Sequence, residues 1–129
     1  NKSLLTEVLT DFKNEGIRTS IFVSTDLNFI EGAKHAGADR VELYTEPYAM
    51  MYNINRQAAI KPFVAASAFA KELSLGLNAG HDLNLNNLNF FAQNIPDLME
   101  VSIGHALISD ALYYGLENTV QMYLARLNE

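Results

Sequence analysis

Apolar residues recur along this chain in two alternating rhythms. Stretches with apolar side chains three and four positions apart give way to short runs rich in β-branched residues, and a Gly or Pro turn introduces each run. Leu4, Leu5, Val8, Leu9 and Phe12 mark one face of a helix over 3–14 that stops at Glu15-Gly16, and 18–23 reads as a strand. Asp26 is placed to cap a helix reaching His35, after which Ala36-Gly37-Ala38 leads into a second strand over 40–45. Beyond Pro47 the pattern predicts a longer connection through Asn53 and Asn55, then a helix to about Glu72 with a break or new start at Pro62. A third strand over 74–79 closes in Gly80-His81-Asp82, a helix covers 84–93, and a fourth strand covers 99–103. Gly104-His105 opens a last helical region divided at Gly115. Because a helical face is already under way at Asn1, further chain is expected to precede it.

The faces of these strands select an architecture. Val41, Leu43, Leu75, Leu77, Met99, Val101 and Ile103 form one apolar phase suited to lie under helices. The opposite phase carries Arg40, Glu42, Tyr44, Ser74, Gly76, Asn78, Glu100, Ser102 and Gly104, too polar and too small for a second helix layer. An open doubly wound sheet buries both faces and reads as near-continuous Val, Ile and Leu, whereas a barrel interior with a functional mouth accepts this second phase. The fold class predicted is therefore α/β, a (β/α)8 TIM-type barrel. Such a barrel needs eight strands and roughly 250 residues, so residues 1–129 are expected to be the C-terminal half of a single TIM-barrel domain, its last four βα units.

Charge and composition narrow the partners. A net charge of −6 argues against nucleic acid, whose recognition needs clustered Lys and Arg, but leaves small phosphates open because helix N-termini supply positive potential locally. With no Cys there is neither thiolate chemistry nor a disulfide. Neither an apolar run of membrane-spanning length nor a leader is present, so a cytoplasmic protein with no membrane partner is expected.

Chemistry in a βα barrel gathers at the C-terminal ends of the strands, where backbone N–H groups at a helix N-terminus hold phosphate. The last two strands both end in Gly-His. Each pair, Gly80-His81 and Gly104-His105, sets a residue without Cβ where a ligand can approach the backbone, followed by an imidazole able to exchange a proton near neutral pH. Either pair alone also fits a capped turn; their equivalence in consecutive units favours function. Glu42, in mid-strand on the polar phase, is either a functional carboxylate or the ion-pair partner of Arg40. Asn84 to Asn89 reads as helix capping, Tyr113-Tyr114 as packing, and His35 as a favourable residue at a helix C-terminus. No Cys/His metal spacing, Walker loop or serine nucleophile elbow occurs.

The strings Val41-Glu42-Leu43-Tyr44-Thr45 with Tyr48-Ala49, Leu77-Asn78-Ala79-Gly80-His81, and Ile103-Gly104-His105-Ala106 together resemble pyridoxine 5′-phosphate synthase in residues, order and spacing. The resemblance runs from about Ser3 to the C-terminus and corresponds to the last four βα units of that family's barrel. It implies a condensation of 1-deoxy-D-xylulose 5-phosphate with 3-amino-2-oxopropyl phosphate that closes the pyridine ring of vitamin B6, with no cofactor or metal. By the same resemblance His81 matches the family's proton donor and Glu42 its buried charge-stabilising glutamate. Gly104 and His105 match the pair that holds the amino-ketone phosphate. Asp82 stands where the family usually has a glycine whose backbone meets that phosphate, Glu46 replaces a small residue, and Ser102 replaces Asn. A symmetric cytoplasmic homo-oligomer, an octamer, is also implied, and the isolated segment is expected to be inactive because other proton-transfer groups lie in the preceding half. Two other readings stay open: a different TIM-barrel enzyme for a small sugar or ketone phosphate, and a non-catalytic phosphate-binding half-barrel.

Overall fold

The computed structural model describes residues 2–128. Its elements are α1 (Lys2–Asn14), β1 (Ser20–Val23), α2 (Leu27–Ala36), β2 (Arg40–Tyr44), α3 (Glu46–Glu72), β3 (Gly76–Gly80), α4 (Leu88–Asn94), β4 (Leu98–Ser102), α5 (His105–Tyr114) and α6 (Leu116–Asn128). The strands form one parallel sheet in the order β1-β2-β3-β4. Strand-helix alternation with sequential parallel neighbours is what the two rhythms of the chain predict.

Local signals account for most boundaries. Asp26 caps α2 by accepting from the Asn28 amide at 2.9 Å, and Gly37 ends that helix in the left-handed region at φ 91°. At the start of the sheet, Asp39 Oδ2 accepts from the Thr19 amide at 2.7 Å and from the Thr19 hydroxyl at 3.0 Å, tying the entrance of β1 to that of β2. Those bonds from Thr19 hold the Asp39 carboxyl below the usual carboxylate range, against an opposing contribution from partial burial.

The apolar phase is the core. Val41, Leu43, Leu77 and Ala79 are buried beneath Ile30 and Ala33 of α2, Ile60, Phe63 and Ala66 of α3, and Leu88 and Phe91 of α4. Tyr48 is also fully buried, with edge-on ring contacts to Phe63 and Phe91, and its hydroxyl donates to the Asn87 carbonyl at 2.7 Å. Burial of a large apolar side chain of this kind contributes about 1.5–3 kcal/mol.

The opposite face carries a polar network. Glu100 of β4 pairs with Arg18 at 3.0 Å and with Arg40 of β2 at 2.9 Å, while Asn78 of β3 accepts from Arg40 and donates to Glu100, both at 3.1 Å. Partial desolvation pushes the Glu100 carboxyl up, but Arg18 and Arg40 outweigh it and the net displacement is downward. Glu100, not Glu42, is therefore the ion-pair partner of Arg40, which corrects the structural alternative offered for Glu42.

Other expectations also change. Residues 48–54, within the connection expected beyond Pro47, are helical, because Pro47 falls in the first turn of α3 where its fixed φ suits a helix start. The break expected at Pro62 occurs instead at Asn55 (φ −156°, ψ 92°), whose side chain accepts from the Ala58 amide at 3.0 Å and so caps a new segment that runs on through Pro62. Ser74 takes a left-handed φ of 55°, which delays β3 to Gly76. Residues 84–87 form a turn before α4 rather than its first turn. A bulge opposite Leu77/Asn78 shifts the phase of β4, so Met99 leaves the apolar side and its sulfur approaches Gly76 beside Arg40. Tyr113 and Tyr114, expected to pack, are 84% and 53% exposed. Among the described residues no helix is long and apolar enough to cross a membrane.

Candidate active site

His81, Asp82, Gly104 and His105 follow the ends of β3 and β4, and Glu42, in the middle of β2, reaches toward them with its side chain. Gly80 is the last residue of β3 and pairs with Tyr44 on one side and Ser102 on the other. A Cβ at Gly80 would collide with Oε1 of Glu42 and lie 2.9 Å from Cβ of Ser102. The Glu42 side chain therefore leans along the sheet into space that exists only because residue 80 has no side chain. Among the described residues Glu42 has neither a hydrogen bond nor an ion pair, which leaves its carboxylate available on the polar face.

His81 follows in a left-handed conformation (φ 89°), and Asp82 continues it (φ 58°). Successive non-glycine residues in this region cost on the order of 1–2 kcal/mol each, so the corner persists only because its surroundings impose it. Thr45, fully buried at the end of β2, does much of this. Its hydroxyl donates to the Gly80 carbonyl at 2.7 Å and also reaches the His81 carbonyl, while its amide donates to Gly80 O at 2.9 Å. From the far side Asn87 Nδ2 donates to the Asp82 carbonyl at 3.1 Å, and Asn87 is itself held by Tyr48 and Asn84. The asparagines of this turn thus brace the turn itself rather than cap α4, whose N-cap Asn87 makes no side-chain bond to the helix.

The imidazole of His81 lies edge-on to Tyr44 with ring centroids 4.9 Å apart, and Tyr44 contacts Phe22 in the same manner at 5.4 Å. Its Nδ1 is 3.3 Å from Oδ2 of Asp82, and the other oxygen, Oδ1, is 3.3 Å from Nε2 of His105. Asp82 thereby joins the two Gly-His corners. The His81 and His105 side chains are 48% and 78% exposed, so both can meet a solute.

Gly104 opens α5, accepting the first helical bond from the Ile108 amide at 3.2 Å, and among the described residues a Cβ there would meet nothing within 4 Å. The amides of the first turn have no acceptor within their own helix and aim their positive ends outward, an arrangement suited to an anion. Among the described residues no cluster of three His, Cys, Asp or Glu has the arrangement to hold a metal ion. Chemically the corner combines a carboxylate, two imidazoles able to exchange protons, and an anion-attracting helix start.

Sequence reasoning named Glu42, His81, Asp82, Gly104 and His105, and these lie along one rim of the sheet. It did not foresee the supporting roles of Thr45 and Asn87. A buried Thr directly after a strand, opposite a glycine turn, was the available signal for the first.

Comparison with known proteins gives the lineage. The profile of PdxJ, described as pyridoxal phosphate biosynthesis protein PdxJ, matches residues 1–129. The chain belongs to this family. It is 60% identical over 129 residues to the pyridoxine 5′-phosphate synthase of Cytophaga hutchinsonii, covering 100% of this chain and 54% of that protein. Identity to the synthase of Flavobacterium johnsoniae is 58% over 127 residues, covering 98% of this chain and 54% of that protein. For the Bacteroides fragilis synthase it is 63% over 123 residues, with coverage of 95% and 52%. The chain thus spans about half the length of the curated relatives it matches.

Proposed function

We propose that this chain is the C-terminal half of a (β/α)8 barrel with pyridoxine 5′-phosphate synthase activity, condensing 1-deoxy-D-xylulose 5-phosphate with 3-amino-2-oxopropyl phosphate. The observation that carries the reading is the meeting of His81, Asp82 and His105 at one corner, in a chain 58–63% identical to proteins named for that activity. The barrel is supported by the parallel sheet with one polar face, and by an apolar groove of about 520 Å³ along β1 and α2 that includes Ile21, Phe22, Val23 and Phe29. A preceding half of the barrel would cover that groove.

In this reading His81 is the general acid. Ring closure expels hydroxyl and phosphate oxygens, and each leaves more readily when an imidazolium delivers a proton to it. Glu42, free of a cationic partner, stabilises positive charge developing on the amino-ketone nitrogen. The start of α5, with Gly104 and His105, takes the phosphate of the amino-ketone, and the backbone of Asp82 contributes to that subsite. No cofactor takes part, and the assembled enzyme is a cytoplasmic homo-oligomer, an octamer by family likeness.

The test is the full-length protein with His81→Asn. Ring closure should slow by about 10²–10⁴-fold, while binding of the amino-ketone phosphate persists. Activity equal to that of the unsubstituted protein removes the assignment.

A further inference from the structure

Asp82 combines a backbone that does not need its side chain with a side chain that touches two other functional groups. Its φ of 58° is one that glycine adopts without steric penalty, and Asn87 holds its carbonyl from outside at 3.1 Å. The turn therefore forms without the carboxylate. That carboxylate lies between two imidazoles, 3.3 Å from Nδ1 of His81 and 3.3 Å from Nε2 of His105, with one oxygen for each ring. The rings come from the turns after different strands, β3 and β4, so Asp82 spans them.

Resting on the synthase reading, we infer that Asp82 is a positioning residue that couples occupancy of the phosphate subsite to the proton donor. Phosphate at the start of α5 competes with Asp82 for His105, because a dianion attracts an imidazolium more strongly than a carboxylate does and repels the carboxylate itself. His105 turns to the phosphate. The Asp82 carboxylate is then left to Nδ1 of His81 alone, where it orients the ring and stabilises its protonated form. In that form the Nε2–H of His81 is the proton that a general acid delivers to a leaving oxygen, and the imidazole returns to neutral when it has done so. His81, which Asp82 otherwise shares with His105, is held as a proton donor most strongly when the amino-ketone phosphate is in place.

The experiment uses the full-length protein with 15N-labelled histidines, titrated with inorganic phosphate, the two imidazole signals being assigned through H81N and H105N. In the unsubstituted protein both signals should move with the same midpoint. In D82G, which suits the left-handed backbone, and in the similarly sized D82N, the His105 signal should move while that of His81 stays in place. With the competing carboxylate gone, the phosphate midpoint in D82G should fall by about two- to fivefold. The coupling is overturned if His81 stays still in the unsubstituted protein while His105 responds, or if His81 follows phosphate in D82G and D82N as well. If neither ring responds in the unsubstituted protein, the phosphate subsite itself is wrong and the coupling falls with it.

Discussion

The two Gly-His corners have the same dipeptide at the same place in consecutive βα units, yet their glycines answer opposite demands. At Gly80 a Cβ would strike Glu42 and crowd Ser102, so the protein's own packing excludes a side chain. At Gly104 a Cβ would meet nothing within 4 Å among the described residues, so packing against them does not call for glycine there. The first corner is clamped, with Thr45 on two successive carbonyls and Asn87 on a third. The second is an open helix start. A locked corner is what a proton donor needs, because its direction of transfer must be fixed; an open one suits an anion arriving from solution. The same residues therefore read as interior architecture in one place and as a ligand site in the other.

The comparison can be broken most strongly at Gly80. Gly80→Ala should cost about 1–3 kcal/mol by overpacking, measured as a shift in urea midpoint, and should also depress turnover because Glu42 has to move. An unchanged midpoint would mean that the Gly80 corner is as open as the other. Thr45→Val comes next: loss of the buried hydroxyl leaves the His81 carbonyl short of a donor, while the Gly80 carbonyl keeps the amide of residue 45, at about 1–2 kcal/mol. Turnover should fall more than substrate affinity, because the turn that aims His81 loosens.

A control lies at the opposite end of the strands. The Asp39 carboxyl is held low in the folded state by Thr19, so its contribution to stability is present above the unfolded value near pH 4 and is lost as pH falls through the folded value. The stability difference between the unsubstituted protein and Asp39→Asn should accordingly shrink between about pH 5 and pH 3, with neither corner affected. The smallest effect on folding is expected at the open corner. Gly104→Ala should leave stability within about 0.5 kcal/mol yet weaken phosphate binding, since the added methyl group would stand in the proposed phosphate subsite. A large loss of stability there would erase the contrast.

Much of this arrangement was legible in residues alone. The four strands, the cap at Asp26, the turn at Gly37, and the Gly-His pairs are local signals, and local signals survive folding. What escaped depends on neighbours distant in sequence. Arg40 was matched with Glu42 because they share a strand and a phase, but the closer carboxylate is Glu100 on β4, brought into reach by a bulge that no periodicity announces. Pro62 drew the expected helix break because proline is a strong local breaker, whereas an asparagine side chain capping its own helix at Asn55 won. For the site, residue types pointed to Glu42, His81 and His105, but the carboxylate linking the two imidazoles emerges only when the turns after β3 and β4 come together.

The Arg18–Glu100 pair joins residues 82 positions apart, one just before the first strand and the other in the last. Closing so long a loop is entropically expensive and is repaid only after the intervening elements are in register. We expect this contact to form late in folding, so that neutralising either partner hastens unfolding while leaving the folding rate nearly untouched.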